Sequence, residues 1–229
     1  MAVALCLTAI MLRTAETRER APARDDAHSF RRNVCSWTEL KRRNVVMQER
    51  DFSCGAAALA TLVKYHLGDN ASEEFFLKKY QSLVSAETMR DRIENGLNMN
   101  DLEQLARGAG YETLKGTLTL EKLAESKVPL IVGISVQGYD HFVVYRGLDS
   151  EYIYLADPLR GNVRIFISEF LEQWQENGAL AVVRKDRDPP PSSPLTVRRS
   201  EVFLGELNIV EVRKSLSRPA TGVPIPNPR

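Results

Sequence analysis

The chain has 229 residues, 43% of them hydrophobic and 27% charged, with a formal net charge of +1. A domain of that size folds without disulfide staples, and three cysteines (Cys6, Cys35 and Cys54) make no disulfide framework. The near-neutral balance argues against a nucleic-acid partner, and the basic clusters Arg31–Arg32 and Lys41–Arg43 read as solvated surface.

The first element is an apolar run, "MAVALCLTAIML", with the length of an export-signal core and too short to span a bilayer. No Lys or Arg precedes it, and Arg13 follows at once, against the usual charge orientation. "APA" at Ala21 to Ala23 is the candidate cleavage site, while Leu5 is too bulky for lipoprotein-type processing at Cys6. This predicts an extracytoplasmic protein, periplasmic or secreted or membrane-associated; the alternative is a cytoplasmic protein with an apolar N-terminus. From Arg13 to about Ser29 the chain lacks periodicity and reads as a linker.

"NVVMQ", Asn44 to Gln48, is a short β-prone run. A largely apolar helix follows from Cys54 to His66, with Gly68 at its C-terminal stop. Three more helices are expected: "SEEFFLKKY" capped by Ser72, "SAETMRDRIENG" ended by Gly96, and "NDLEQLARGAG" with a capping box from Asn100 to Glu103. Beyond Leu118 the signature changes to strands. After a short helix, "LEKLAESK", the continuous run "PLIVGISV" reads as a buried strand. "HFVVYRG", "YIYLAD" and "NVRIFI" follow as an antiparallel meander, then a helix "SEFLEQWQENG" capped by Ser168 and a final strand "ALAVVRK". Helices followed by an antiparallel sheet predict an α+β domain over residues 30–186. Residues 1–29 form the N-terminal segment and 187–229 a proline-rich tail.

Cys54 stands where that first helix begins, and the unsatisfied N–H groups there favour a thiolate, the reactive form. Gly55 beside it leaves room for a substrate backbone to approach the sulfur. A cysteine nucleophile needs a base oriented by a third group. Of three histidines, His28 lies in the N-terminal segment, and His66 lies about 18 Å along the same helix at 1.5 Å per residue. His66 therefore reads as a cation at the helix C-terminus. His141 opens a strand and Asp157 ends the next, so a hairpin between them brings both to one end of the sheet. No spacing of His, Cys or Asp supports a zinc site, and no cofactor is expected.

"QERDFSCGAAALATL" together with "HFVVYRGLDSEYIYLADP" resembles the bacteriocin-processing, double-glycine-leader cysteine peptidases of the papain-like superfamily. The shared pattern is a Gln six residues before Cys-Gly, then His-aromatic-Val-Val, then Asp-Pro at the end of the following strand, over about Val45 to Lys185. The resemblance implies a papain-like fold, with Cys54 as nucleophile, His141 as general base, Asp157 as its orienter and Gln48 as an oxyanion donor. It also implies a peptide or protein substrate with a small-residue cleavage site, and a separate export machinery as a further partner. Two features depart from the family. Ser53 stands where an acidic residue is common, and no transporter or P-loop pattern accompanies the peptidase. An inactive peptide-binding module of the same fold is the alternative function, against which the complete Cys, Gln, His and Asp set weighs.

Overall fold

Cys54 opens α2 (Cys54–Leu62), and every residue of that helix is buried. A helix that is apolar all round belongs inside a domain. Ala56, Ala57, Ala58 and Ala60 are wholly inaccessible to solvent, and their small side chains let other elements approach from all sides. The structure is a computed structural model and describes residues 20–24, 29–33, 36–186, 190 and 192–202. The apolar N-terminal run, Cys6, His28, Cys35 and most of the tail lie outside the described residues. The chain divides into two compact units, Met1–Leu40 and Lys41–Arg229.

In the first unit, part of the expected linker forms a hairpin. β1 (Arg20–Arg24) pairs antiparallel with β2 (Ser29–Asn33), from Arg20 opposite Asn33 to Arg24 opposite Ser29. α1 (Trp37–Arg42) follows.

In the second unit, α2 runs on into a π-helical turn, Val63–Leu67, closed by Gly68 at φ +80°. The helix expected from Cys54 to His66 thus changes hydrogen-bond pattern at Val63. α3 (Glu73–Leu83) is capped by Ser72, whose side chain accepts from Phe75 N, and α4 (Ala86–Asn95) ends at Gly96. α5 (Met99–Gly108) starts earlier than expected, because the capping box is Asn98 with Asp101. Asp101 is buried and accepts from Asn98 N (2.8 Å), Tyr80 Oη (2.8 Å) and Arg92 Nε (2.5 Å), so one carboxylate ties α3, α4 and α5. Glu103 pairs instead with Arg107 and Lys115.

The sheet contains β3 (Glu112–Thr117), β4 (Leu130–Val136), β5 (Tyr139–Leu148), β6 (Tyr152–Asp157), β7 (Gly161–Phe166) and β8 (Trp174–Val183). Its order is β3-β8-β4-β5-β6-β7, and every neighbouring pair is antiparallel. One face, with Ile131, Phe142, Val144 and Leu180, packs under α2, α3 and α5. The other, with Val132, Ile134, Val143 and Ile153, is covered by α6 (Leu120–Ala124) and α7 (Ile167–Gln173). Two covered faces explain why β4 is apolar at consecutive positions.

Three elements differ from expectation. β3 carries mostly exposed polar residues, so periodicity gave no strand signal. α7 stops at Gln173, where the chain turns into β8 with Glu176 and Asn177 at φ 49° and 53°. It has no side-chain cap because Phe166 takes the N-cap position and the expected cap, Ser168, lies inside the helix. "NVVMQ" forms no strand; separate partners hold it. Val46 N donates to Thr61 Oγ1 (2.9 Å) and Gln48 N to Pro158 O (2.9 Å).

Beyond the proline-rich stretch the chain returns to this unit. Leu195 is 1% exposed within the core under the helices. The Arg146 guanidinium, 4% exposed, donates to Leu195 O, Asn162 Oδ1 and both carboxylate oxygens of Glu201, which lies in α8 (Arg199–Val202). Among the described residues no helix is long and apolar enough to cross a membrane.

Candidate active site

Cys54 is a free thiol, 4% exposed, at the first residue of α2. The turn before it is built by Ser53, which is fully buried. Its Oγ donates to Arg50 O (2.7 Å) and accepts from Arg50 N (3.3 Å), so the hydroxyl shapes the turn and makes no cap bond to the helix. The first N–H groups of α2 are left for other acceptors.

β5 and β6 carry the other two groups. Their register, Val144 opposite Ala156, places His141 and Asp157 at the same end of the hairpin. His141 Nε2 meets Asp157 Oδ1 at 2.8 Å, and both side chains are buried. The carboxylate also accepts from Leu159 N (2.7 Å), Arg160 N (3.0 Å) and Arg160 Nε (2.6 Å). Burial would push the Asp157 pKa up, but the hydrogen bonds and charges of His141 and Arg160 outweigh it and hold it at about 2. Burial likewise opposes charge on His141, yet Asp157 and then the Cys54 thiol raise its pKa to about 9. Among the described residues His141 Nδ1, which is buried, has no hydrogen-bond partner.

The Gln48 backbone is docked on Pro158, the residue after Asp157, and its Nε2 donates to Arg50 O at 3.1 Å. An amide nitrogen carries two N–H groups, and Arg50 O takes one of them. A cleft of about 1120 Å³ reaches Cys54. Leu97 and Met99 line its helical side, and Gly133, Phe142 and Gln175 its sheet side. Tyr139 bridges the two sides, since its hydroxyl donates to Asp51 O at 2.7 Å.

Residues 42–187 match the model of the Peptidase C39 family. The chain belongs to that family. It is 33% identical over 173 residues to the "Probable functional amyloid protease FapD" of Pseudomonas aeruginosa, covering 73% of this chain and 74% of that protein. It is 25% identical over 182 residues to the lactococcin-G-processing and transport ATP-binding protein LagD of Lactococcus lactis, where the match covers 24% of that longer protein. Among solved structures, the peptidase domain of Streptococcus ComA shares the fold at 20% identity and a TM-score of 0.52, over 63% of this chain and all of that one. A C39-like peptidase from Bacillus anthracis does so at 17% identity and a TM-score of 0.50, over 65% and 98%. The protein is a cysteine peptidase with the papain-like α+β fold, helices on one antiparallel sheet.

Within this C39 domain the structure brings Cys54, His141 and Asp157 together and docks the Gln48 backbone on Pro158 of the turn that follows Asp157. Two sequence readings change. His66 is no helix-end cation: it is 4% exposed, neither ring nitrogen has a partner, and burial lowers its pKa from the ordinary 6.5. Gly55 faces α5 instead of the cleft, and a Cβ there would lie 2.7 Å from Leu102 Cδ2. Sequence reasoning missed Arg160, Ser53 and Tyr139. Only Arg160 had a local signal, as a cation three residues after a carboxylate that enters a turn. Among the described residues no cluster of His, Cys, Asp or Glu could hold a metal ion.

Proposed function

We propose that this C39 peptidase cleaves peptide bonds in an exported polypeptide by acyl transfer through Cys54. The thiol proton of Cys54 passes to His141, the sulfur attacks the scissile carbonyl, and His141 protonates the leaving amine. A water that gives its proton to His141 then cleaves the Cys54 thioester, releasing the new carboxyl terminus, and the proton returns to the sulfur. Asp157 holds the imidazole by Nε2, so that Nδ1 serves the sulfur. The Cys54 backbone N–H and the Gln48 amide receive the oxyanion. The observation that carries this reading is the unequal surroundings of the two His141 nitrogens. Nε2 is fixed by a fully buried carboxylate, whereas Nδ1 is buried with no hydrogen-bond partner, and the Cys54 thiol is near enough to raise the ring's pKa. Catalytic hydrogen bonds in ligand-free enzymes are often long and tighten on binding.

The names of FapD and LagD describe a protease and a processing protein, which supports a polypeptide substrate here. We place the scissile bond after small residues and assign delivery or removal of the product to a separate export machinery. Incubating the full chain with a proteome-derived peptide library, and mapping new termini by mass spectrometry, tests the reading. Wild type should create termini after small residues and C54A none. Identical termini from C54A would overturn the nucleophile assignment, and library binding without any new terminus would identify a peptide-binding module.

A further inference from the structure

The turn between β6 and β7 supplies one more charged group to the site. Three donors converge on Asp157 Oδ1: His141 Nε2, Leu159 N and Arg160 N. Among the described residues Oδ2 receives one, Arg160 Nε at 2.6 Å. A single residue thus grips both oxygens, by its backbone on one and its guanidinium on the other. Arg160 is 40% exposed and Asp157 is completely buried, so the cation keeps part of its hydration while it neutralises a carboxylate that has none. The other titratable groups around the pair are Cys54 from α2 and Tyr139 from β5, whose ring centroid lies 6.2 Å from that of His141.

We propose that Arg160 is a positioning residue: by holding Oδ2 it fixes the plane of the Asp157 carboxylate and balances the negative charge that faces His141. This rests on the reading of Asp157 as the orienter of His141. With Arg160 neutralised, His141 and the two backbone N–H groups keep Asp157 ionised near neutral pH. The imidazole then faces a less balanced negative charge and holds its proton more tightly. A residue with a purely structural role in the turn would not move that titration.

The test uses the ring resonances of the full chain, which has only three histidines, His28, His66 and His141. In R160Q the His141 midpoint should rise above about 9 by about half a pH unit, a modest shift because the lost charge is partly solvated. The Asp157 carboxyl should titrate above about 2 in the same variant. R160K keeps the charge and should leave the His141 midpoint near wild type. A His141 midpoint unmoved in R160Q overturns the inference, and so does an equal rise in R160K. If H141A cleaves library peptides as fast as wild type, the catalytic reading itself fails, and Arg160 loses this role with it.

Discussion

His141 is bonded on one ring nitrogen and open on the other, and that asymmetry sets distinct expectations for each neighbour. C54A should abolish cleavage while the fold persists, because alanine occupies the same start of α2. H141A should lose about 100- to 10,000-fold in kcat, the usual contribution of a positioned acid–base group. D157N should lose less than H141A, since an asparagine oxygen still accepts from Nε2. Gln48→Ala should cost about 100- to 1,000-fold, as loss of one oxyanion donor does. Steady-state rates on a peptide recovered from the library check the series. A D157N rate below that of H141A would contradict the assigned roles.

At the scale of elements, the β6–β7 turn does the most positioning. Asp157 enters it, Pro158 O receives Gln48 N, and Gly161 leaves it at φ +80°, where a Cβ would lie 2.4 Å from Lys41 O. One short turn therefore fixes both the Gln48 backbone, through Pro158 O, and the Asp157 carboxylate, through Leu159 N and Arg160 N. The π-helical turn after α2 has a different consequence, because it buries His66 and so disfavours its charged form. A folded-state pKa below the ordinary 6.5 means that the unfolded chain binds more protons as the pH falls through that value. His66 should therefore weaken the fold as the pH falls through 6.5 and below. His141, raised to about 9, acts in the opposite sense: its contribution is complete below 6.5 and is lost as pH rises through about 9. Urea unfolding of H66F should show a flatter loss of stability from pH 7 to 5.5 than wild type. Equal slopes would place His66 outside the acid response.

The whole molecule adds a constraint that the family match does not include. The match ends at residue 187, yet residues 192–202 return to bury Leu195 and to satisfy the Arg146 guanidinium. Losing the buried Leu195 side chain costs about 1.5–3 kcal/mol, and Arg146 loses a carboxylate partner that is itself 27% exposed. A chain ending at Asp186 should lose roughly 2–4 kcal/mol of stability, about 10 °C in Tm for a domain of this size. Thermal unfolding of the truncated chain checks this, and an unchanged Tm would show that the strap is dispensable. The N-terminus carries a separate expectation. If the apolar run directs export, the mature chain should begin near Arg24 with Cys35 and Cys54 as free thiols, on the expectation that Cys35, in the segment before the run leading to Gln48, lies too far from Cys54 to pair with it. N-terminal sequencing and thiol titration under denaturing conditions check both points. A full-length N-terminus from cytoplasm would refute export, and a Cys35–Cys54 bridge in active enzyme would refute the thiol state.

Much of this was legible in one dimension because its causes are local. Ser72 and Gly96 end helices through groups within a few residues, and the run "PLIVGISV" is apolar throughout because it is covered on both sides. The order of helices and strands pointed to the α+β class, and the resemblance to the double-glycine-leader peptidases named Gln48, Cys54, His141 and Asp157 as the candidate site. What the sequence left open depends on atoms distant in the chain. β3 is a strand because β8 pairs with it, in spite of its own exposed polar residues. Gly55 is small because Leu102 lies against it, and the pKa of His66 is lowered because the fold closes over a turn that would otherwise end in solvent. The Arg146–Glu201 pair spans 55 residues, and no local pattern announces it. Local propensity and spacing carry the backbone grammar and the reactive residue types, while burial and charge balance arise only once tertiary packing excludes water and sets the dielectric around each group.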